Sequence, residues 1–239
     1  MKFRAAVLGF ALFAAAAAPT HAQDTLSAPR EAASAVTLST DQLAAGENLF
    51  RAIVFDGGAV DRIFEFMEDE VIPEIRSDIM GSPLYRDATP ARREALMQVI
   101  DNLPAFMRQE LTAGLVTIGT SAAPRFAERM SVEHLNQTAE FMRSPEMRTR
   151  WRAMVQDRIE TDKPMPSFPD WRDVGDFAQS EAGLAFAEQQ EAFGNILDEE
   201  SERTLAVVFP RILSGLSGQM CDALESDCPD YLRDAAGRI

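Results

Sequence analysis

The residues that could carry chemistry are few. His134 is the one histidine after His21 and stands in Ser131-Val132-Glu133-His134-Leu135. A hydrolytic triad would need it as base, with a nucleophile and an orienting acid in a supporting motif. None accompanies it, so it reads as a surface or capping histidine. A zinc site would need further His or Cys ligands that the chain lacks. Gly215-Leu216-Ser217-Gly218 resembles a nucleophile elbow, but Gln219 stands where G-x-S-x-G requires glycine. Its small residues mark a helix end or close helix packing. No G-x-G-x-x-G and no P-loop occurs.

Two acidic clusters, Glu68-Asp69-Glu70 and Asp198-Glu199-Glu200, invite an acid–base reading of the kind glycosidases use. Adjacent helical positions point in different directions, so closeness in sequence does not make a catalytic pair. Both clusters read as solvated helix faces, and neither has the alternating ligands and central glycine of a calcium loop. The chain thus offers no catalytic, cofactor-binding or metal-ligating set, and the expectation is a non-enzymatic protein without a cofactor.

The N-terminus suggests where the protein works. Lys2 and Arg4 precede the apolar run Ala5 to Ala18, and Thr20-His21-Ala22 places small residues where a signal peptidase reads them. This predicts a secretory signal over 1–22, cleaved after Ala22, and a periplasmic location. The run is shorter than the ~20 apolar residues needed to span a bilayer. Nothing later is long and apolar enough to be transmembrane. No cysteine follows the run, which argues against a lipid anchor.

Export makes the two cysteines legible. Cys221 and Cys228 lie in CDALESDC near the C-terminus. A redox pair favours C-x-x-C and a metal site wants more ligands. An oxidising compartment favours a structural disulfide that staples the tail.

The 239 residues carry 38 Asp+Glu against 23 Lys+Arg, a net charge of −15. That surface repels nucleic acid and anionic lipid headgroups. Lys2 and Lys163 are the only lysines; the other cations are arginine, which we read as compositional bias.

Apolar residues recur at spacings of three and four along most of the chain, and sustained alternation is missing. The pattern predicts an all-α fold, an irregular helical bundle of about seven to eight helices, several of them proline-kinked. Residues 23–39 read as a flexible leader. Residues 40–160 form an N-terminal helical region, with Thr40, Thr89, Ser131 and Ser144 as helix starts and Pro90 and Pro145 at first positions. Asp56-Gly57-Gly58 ends the first helix. The amphipathic stretch from Val60 to Ile79 bends at Pro73. Gly81 to Thr89 reads as loop, and Gly119 to Ala123 as a break before a short helix from Pro124. Three prolines make 161–169 a linker. Residues 170–239 form a C-terminal helical region packed on the first, its long helix breaking or bending at Pro210. Eleven methionines suit adaptable surfaces, but most fall on helical core positions.

Two segments look alike at an offset of 36 residues: Phe141-x-x-Ser144-Pro145 and Phe177-x-x-Ser180-Glu181-x-Gly183. In each, an aromatic ends one helix and a serine caps the next. The pattern F-[YF]-x-S-P-x-G between amphipathic helices resembles a bacterial envelope family, domain of unknown function 2059. Phe141, Ser144 and Pro145 match it in the first segment; Phe177, Ser180 and Gly183 match it in the second. Met142 and Ala178 replace its second aromatic, Glu181 its proline and Met147 its glycine. The resemblance covers about Thr40 to Phe209 and implies a helical, exported protein with no catalytic residues to carry over.

These readings converge on an envelope interaction module whose partner is an envelope protein or apolar ligand. The alternatives are an envelope hydrolase with a carboxylate pair, or a purely structural envelope protein. Kinks at Pro73, Pro104 and Pro210 would open space beside the helices. Phe64, Met67, Phe106, Met107 and Phe209 are the candidate lining of an apolar groove.

Overall fold

The computed structural model describes residues 37–161 and 168–237. The expected signal peptide, most of the leader and residues 162–167 of the proline-rich linker lie outside them. All regular structure among the described residues is helical. Seven α-helices have eight residues or more: α1 (Thr40–Val54), α2 (Ala59–Phe66), α3 (Ile72–Gly81), α5 (Pro90–Ala127), α6 (Val132–Met142), α7 (Pro145–Thr161) and α8 (Glu181–Leu224). Two shorter ones, α4 (Pro83–Arg86) and α9 (Asp230–Ala236), complete the set.

Local hydrogen bonding sets most helix starts. The first N-cap is Ser39 rather than Thr40. Its hydroxyl accepts from the Gln42 N–H, and the Gln42 side chain accepts from the Ser39 N–H, a reciprocal capping box. Thr89, Ser131, Ser144 and Ser180 cap α5 to α8 in turn, each hydroxyl accepting an N–H three residues on. α1 ends at Val54, and Gly58 follows with a φ of 81°, a conformation few residues other than glycine adopt.

Pro104, Pro124 and Pro210 do not end the helices that contain them. At Pro73 the chain forms a π-turn, Met67–Val71, in which the Ile72 N–H reaches back five residues to the Met67 carbonyl. The wider turn accommodates a proline that cannot donate to the ladder. α5 runs unbroken through Pro104, through Gly119 to Ala123, and through Pro124, so the predicted break there is absent. α8 likewise continues through Pro210 to Leu224. In α5, Ala122, Ala123, Phe126 and Ala127 are all buried, and in α8 Val208 and Ile212 flank the proline in the core. Packing on both sides outweighs the lost backbone bond. The predicted loop from Gly81 contains the single turn of α4.

The chain divides into two compact units built from interleaved segments. The first comprises Val60–Ile118 and 201–237. Its core includes Ile72, Ile100 and Leu103, joined by Ile75, Phe106 and Met107. A second cluster gathers Leu96, Met220, Leu224 and Cys228. The second unit comprises 37–59, Gly119–Glu200 and is rich in rings. Trp151, Trp171, Phe126, Phe186 and Phe193 are all essentially inaccessible. Edge-to-face contacts link Trp151 to Phe168 and Phe168 to Phe186, and Trp171 packs tilted on Phe186. In this unit α1 lies along α6, where Asn48 donates to Asn136. Arg143, at the C-terminus of α6, donates to Asp56 at 2.6 Å and to the Asn48 side chain at 2.8 Å.

Candidate functional site

The first unit holds an open cavity of about 730 Å³. Its floor is apolar. Leu216, Met220 and Leu224 follow one another at four-residue intervals along α8, and Ile79 of α3 and Leu232 of α9 complete it. Met220 and Leu224 reach it from the Leu96 cluster, so the floor is the outer surface of a packed core. Tyr231, 64% exposed, stands at the edge.

The rim is charged. Asp78 of α3, Asp87 after α4, Asp227 and Arg92, the one cation among the described lining residues, all line the opening. Arg92 is already committed: its guanidinium pairs with Asp227 and, at 3.3 Å, with Glu225. Asp78 and Asp87 have no ion-pair partner among the described residues. The accessible charge at the mouth is therefore negative.

A bond beside the cavity holds α9 in place. The sulfurs of Cys221 and Cys228 lie at bonding distance, with their Cα atoms 4.8 Å apart. The expected disulfide pairing is thus formed, and it ties the end of α8 to the segment that presents Tyr231 and Leu232. Ser214 adds a second tie, its hydroxyl donating to the Ala236 carbonyl at 2.7 Å.

The five residues read from sequence as a groove lie elsewhere in this unit. Phe64 and Met67 are buried in the core. The Arg108 guanidinium covers the Phe64 ring at 4.2 Å. Phe106 and Met107 pack on the Ile72–Ile100–Leu103 cluster, and Phe209 is half-buried. None of the five lines the cavity. The signal that could have found its floor is the four-residue stripe Leu216, Met220, Leu224, next to a cysteine pair that fixes the following helix.

The motif residues fall in the second unit and perform a structural task. The Ser144 hydroxyl accepts from the Met147 N–H at 3.2 Å, and the Ser180 hydroxyl from the Gly183 N–H at 3.0 Å. Ser180 also donates to the Phe177 carbonyl at 2.7 Å. Pro145 opens α7. Phe177 begins a single 3₁₀ turn, Phe177–Gln179, where the sequence suggested a helix end. A Cβ on Gly183 would run into the Phe177 carbonyl, so glycine permits this tight entry. The Phe141 and Phe177 rings meet, and Trp171 packs edge-on against both.

The remaining chemical candidates resolve as follows. His134 is half-buried at the start of α6, its backbone N–H held by the Ser131 cap and its Nε2 4.0 Å from Glu181. Gly215 lies inside α8, where a Cβ would meet the Phe106 ring, so this glycine serves close packing, whereas a Cβ on Gly218 would meet open space. Glu68, Asp69 and Glu70 are exposed, and Glu68 pairs with Arg108 at 2.9 Å. The second acidic cluster departs from the expected solvated face. Glu200 is 5% exposed and binds Arg125 at 2.9 Å, as does Glu199. Burial opposes the Arg125 charge, but the two carboxylates outweigh it and hold its pKa above the ordinary value. Burial pushes the Asp198 carboxyl from 3.8 up to about 6. Asp198 does not line the cavity. Among the described residues no group of three or more His, Cys, Asp or Glu side chains is placed to hold a metal ion, and no helix is long and apolar enough to cross a membrane.

Fold and cavity define an all-α protein whose first unit carries an open, apolar, acid-rimmed site. No family model matches the chain, and no curated protein or solved structure matches it.

Proposed function

We propose that the protein is an exported, non-enzymatic module of the bacterial envelope that binds an apolar ligand or protein segment. The observation that carries this reading is the cavity floored by Leu216, Met220, Leu224 and Leu232. Its volume lies in the range of ligand sites, and a mostly apolar surface with a few polar groups at the edge is how such sites are built. The N-terminal pattern of residues 1–22 and the resemblance to domain of unknown function 2059 support export.

The test is titration of the purified, delipidated protein with an environment-sensitive apolar dye. Saturable binding is expected, weakened by Tyr231→Ala and by Leu216→Gln while circular dichroism still reports a helical fold. Dye that never saturates, with the fold intact, overturns the reading.

A further inference from the structure

We infer that the occupant of this cavity is a basic amphipathic helix of a protein partner, an inference that rests on the apolar-cavity reading above. Three features of the site select it. The first is the shape of the floor. Leu216, Met220 and Leu224 form a stripe about 12 Å long at the helical rise of 1.5 Å per residue. A second helix recognises such a stripe with apolar residues at i, i+4 and i+7. Met220 adds an adaptable side chain at its centre.

The second is charge. Among the described residues, Asp78, Asp87 and Asp227 line the mouth against Arg92 alone, and Arg92 is engaged by Asp227 and Glu225. An apolar ligand bearing a carboxylate would meet two unpaired negative groups. A helix with Lys or Arg flanking its apolar face would satisfy them, because like charges repel and opposite charges set register and encounter rate. The third is Tyr231, an exposed aromatic beside those carboxylates. Its ring face offers a cation a second, non-ionic contact, and tyrosine of this kind anchors interfaces. The net charge of −15 steers the same class of partner toward the protein.

The experiment uses the full exported chain and three fluorescein-labelled peptides of about 14 residues, enough for the helical stripe to be matched. One carries Leu at i, i+4 and i+7 with Lys on its other positions. One replaces each Lys by Glu. One scrambles the Lys/Leu order so that the apolar face is lost. Fluorescence polarisation should show saturable binding of the Lys amphipath, at least tenfold weaker binding of the other two, and loss of affinity as salt is raised. The Asp78→Asn/Asp87→Asn double variant should bind the Lys peptide about fivefold more weakly, as expected for two exposed pairs. The Asp69→Asn/Glu70→Gln variant, altered outside the cavity, should bind it as the parent does.

Equal binding of the Glu or scrambled peptide, or an unchanged affinity in the Asp78/Asp87 variant, overturns the inference. So does an apolar dye that saturates and is displaced by a fatty acid but not by the Lys peptide, which would assign the cavity to a lipid. Self-association that excludes the dye would assign it to a second copy and overturn the inference likewise. In these cases the cavity stands and only its occupant changes. Absence of both dye and peptide binding removes the cavity reading itself.

Discussion

The rings of Phe141 and Phe177 lie almost parallel, 9° apart, with centroids separated by 4.0 Å. These are the two aromatics of the look-alike segments, so the segments meet at their shared residue. Aromatic pairs add about 0.5–1.5 kcal/mol beyond their buried area. A double-mutant cycle with Phe141→Leu and Phe177→Leu should therefore give a coupling of about 1 kcal/mol in urea unfolding. A coupling near zero would mean that the stack contributes nothing beyond burial.

Gly183 and Gly218 should respond oppositely to alanine. At Gly183 a Cβ meets the Phe177 backbone, which cannot swing aside as a side chain would. Gly183→Ala should destabilise by about 1–3 kcal/mol. At Gly218, inside α8, a Cβ finds open space. Gly218→Ala should stabilise by up to about 1 kcal/mol through helix propensity. Thermal unfolding of the two variants checks both signs.

Reduction of Cys221–Cys228 should affect the cavity more than the fold. The bond closes a short loop, worth about 2–3 kcal/mol in the chain-entropy account. It holds α9, which carries Tyr231 and Leu232, against α8. Cys221→Ser/Cys228→Ser should keep its helical circular dichroism, lose dye affinity, and show faster amide exchange in 229–237. In the unreduced parent, an alkylating agent should add no mass.

Asp198 gives a pH signature. Its folded pKa of about 6 exceeds the unfolded value near 3.8. The native state therefore holds this proton more tightly. The group's contribution is complete below about pH 4 and is lost as pH rises through 6. Asp198→Asn, which cannot ionise, should raise stability above pH 7 by roughly 1 kcal/mol after allowance for partial solvent exposure. Near pH 4 it should change little. Urea midpoints at the two pH values provide the comparison, and an equal effect at both would contradict the shifted carboxyl.

Processing is checked by mass. If residues 1–22 are a cleaved signal, the protein recovered from the periplasm begins at Gln23. Recovery there with Met1 retained would remove the signal reading and, with it, the argument for an oxidising compartment.

Features that depend on near neighbours were readable without coordinates. The caps at Ser131, Ser144 and Ser180 and the first-turn Pro90 and Pro145 sit where the residue types place them, because each cap bond spans three residues. The helical class followed from apolar spacing for the same reason. The cysteine pair also closes a local loop. The predicted break at Gly119 to Ala123 did not form, and α8 runs on through Pro210, because local propensity there is outweighed by buried neighbours such as Phe126 and Ile212. Burial of Glu200 against Arg125 was likewise invisible, since the partners are 75 residues apart.

The cavity is the sharpest case. Its walls come from stretches around Ile79, Leu216 and Leu232, and no periodicity within one helix says which face of another it will meet. The sequence by itself determined the helical class, most of the helix starts and the cysteine pair, because short-range hydrogen bonds and chain geometry govern those. Tertiary structure alone decided which apolar stripe stays open, which carboxylates ring it and which two phenylalanines stack. Those depend on contacts between residues far apart in the chain, chosen by the packing of the whole set of helices.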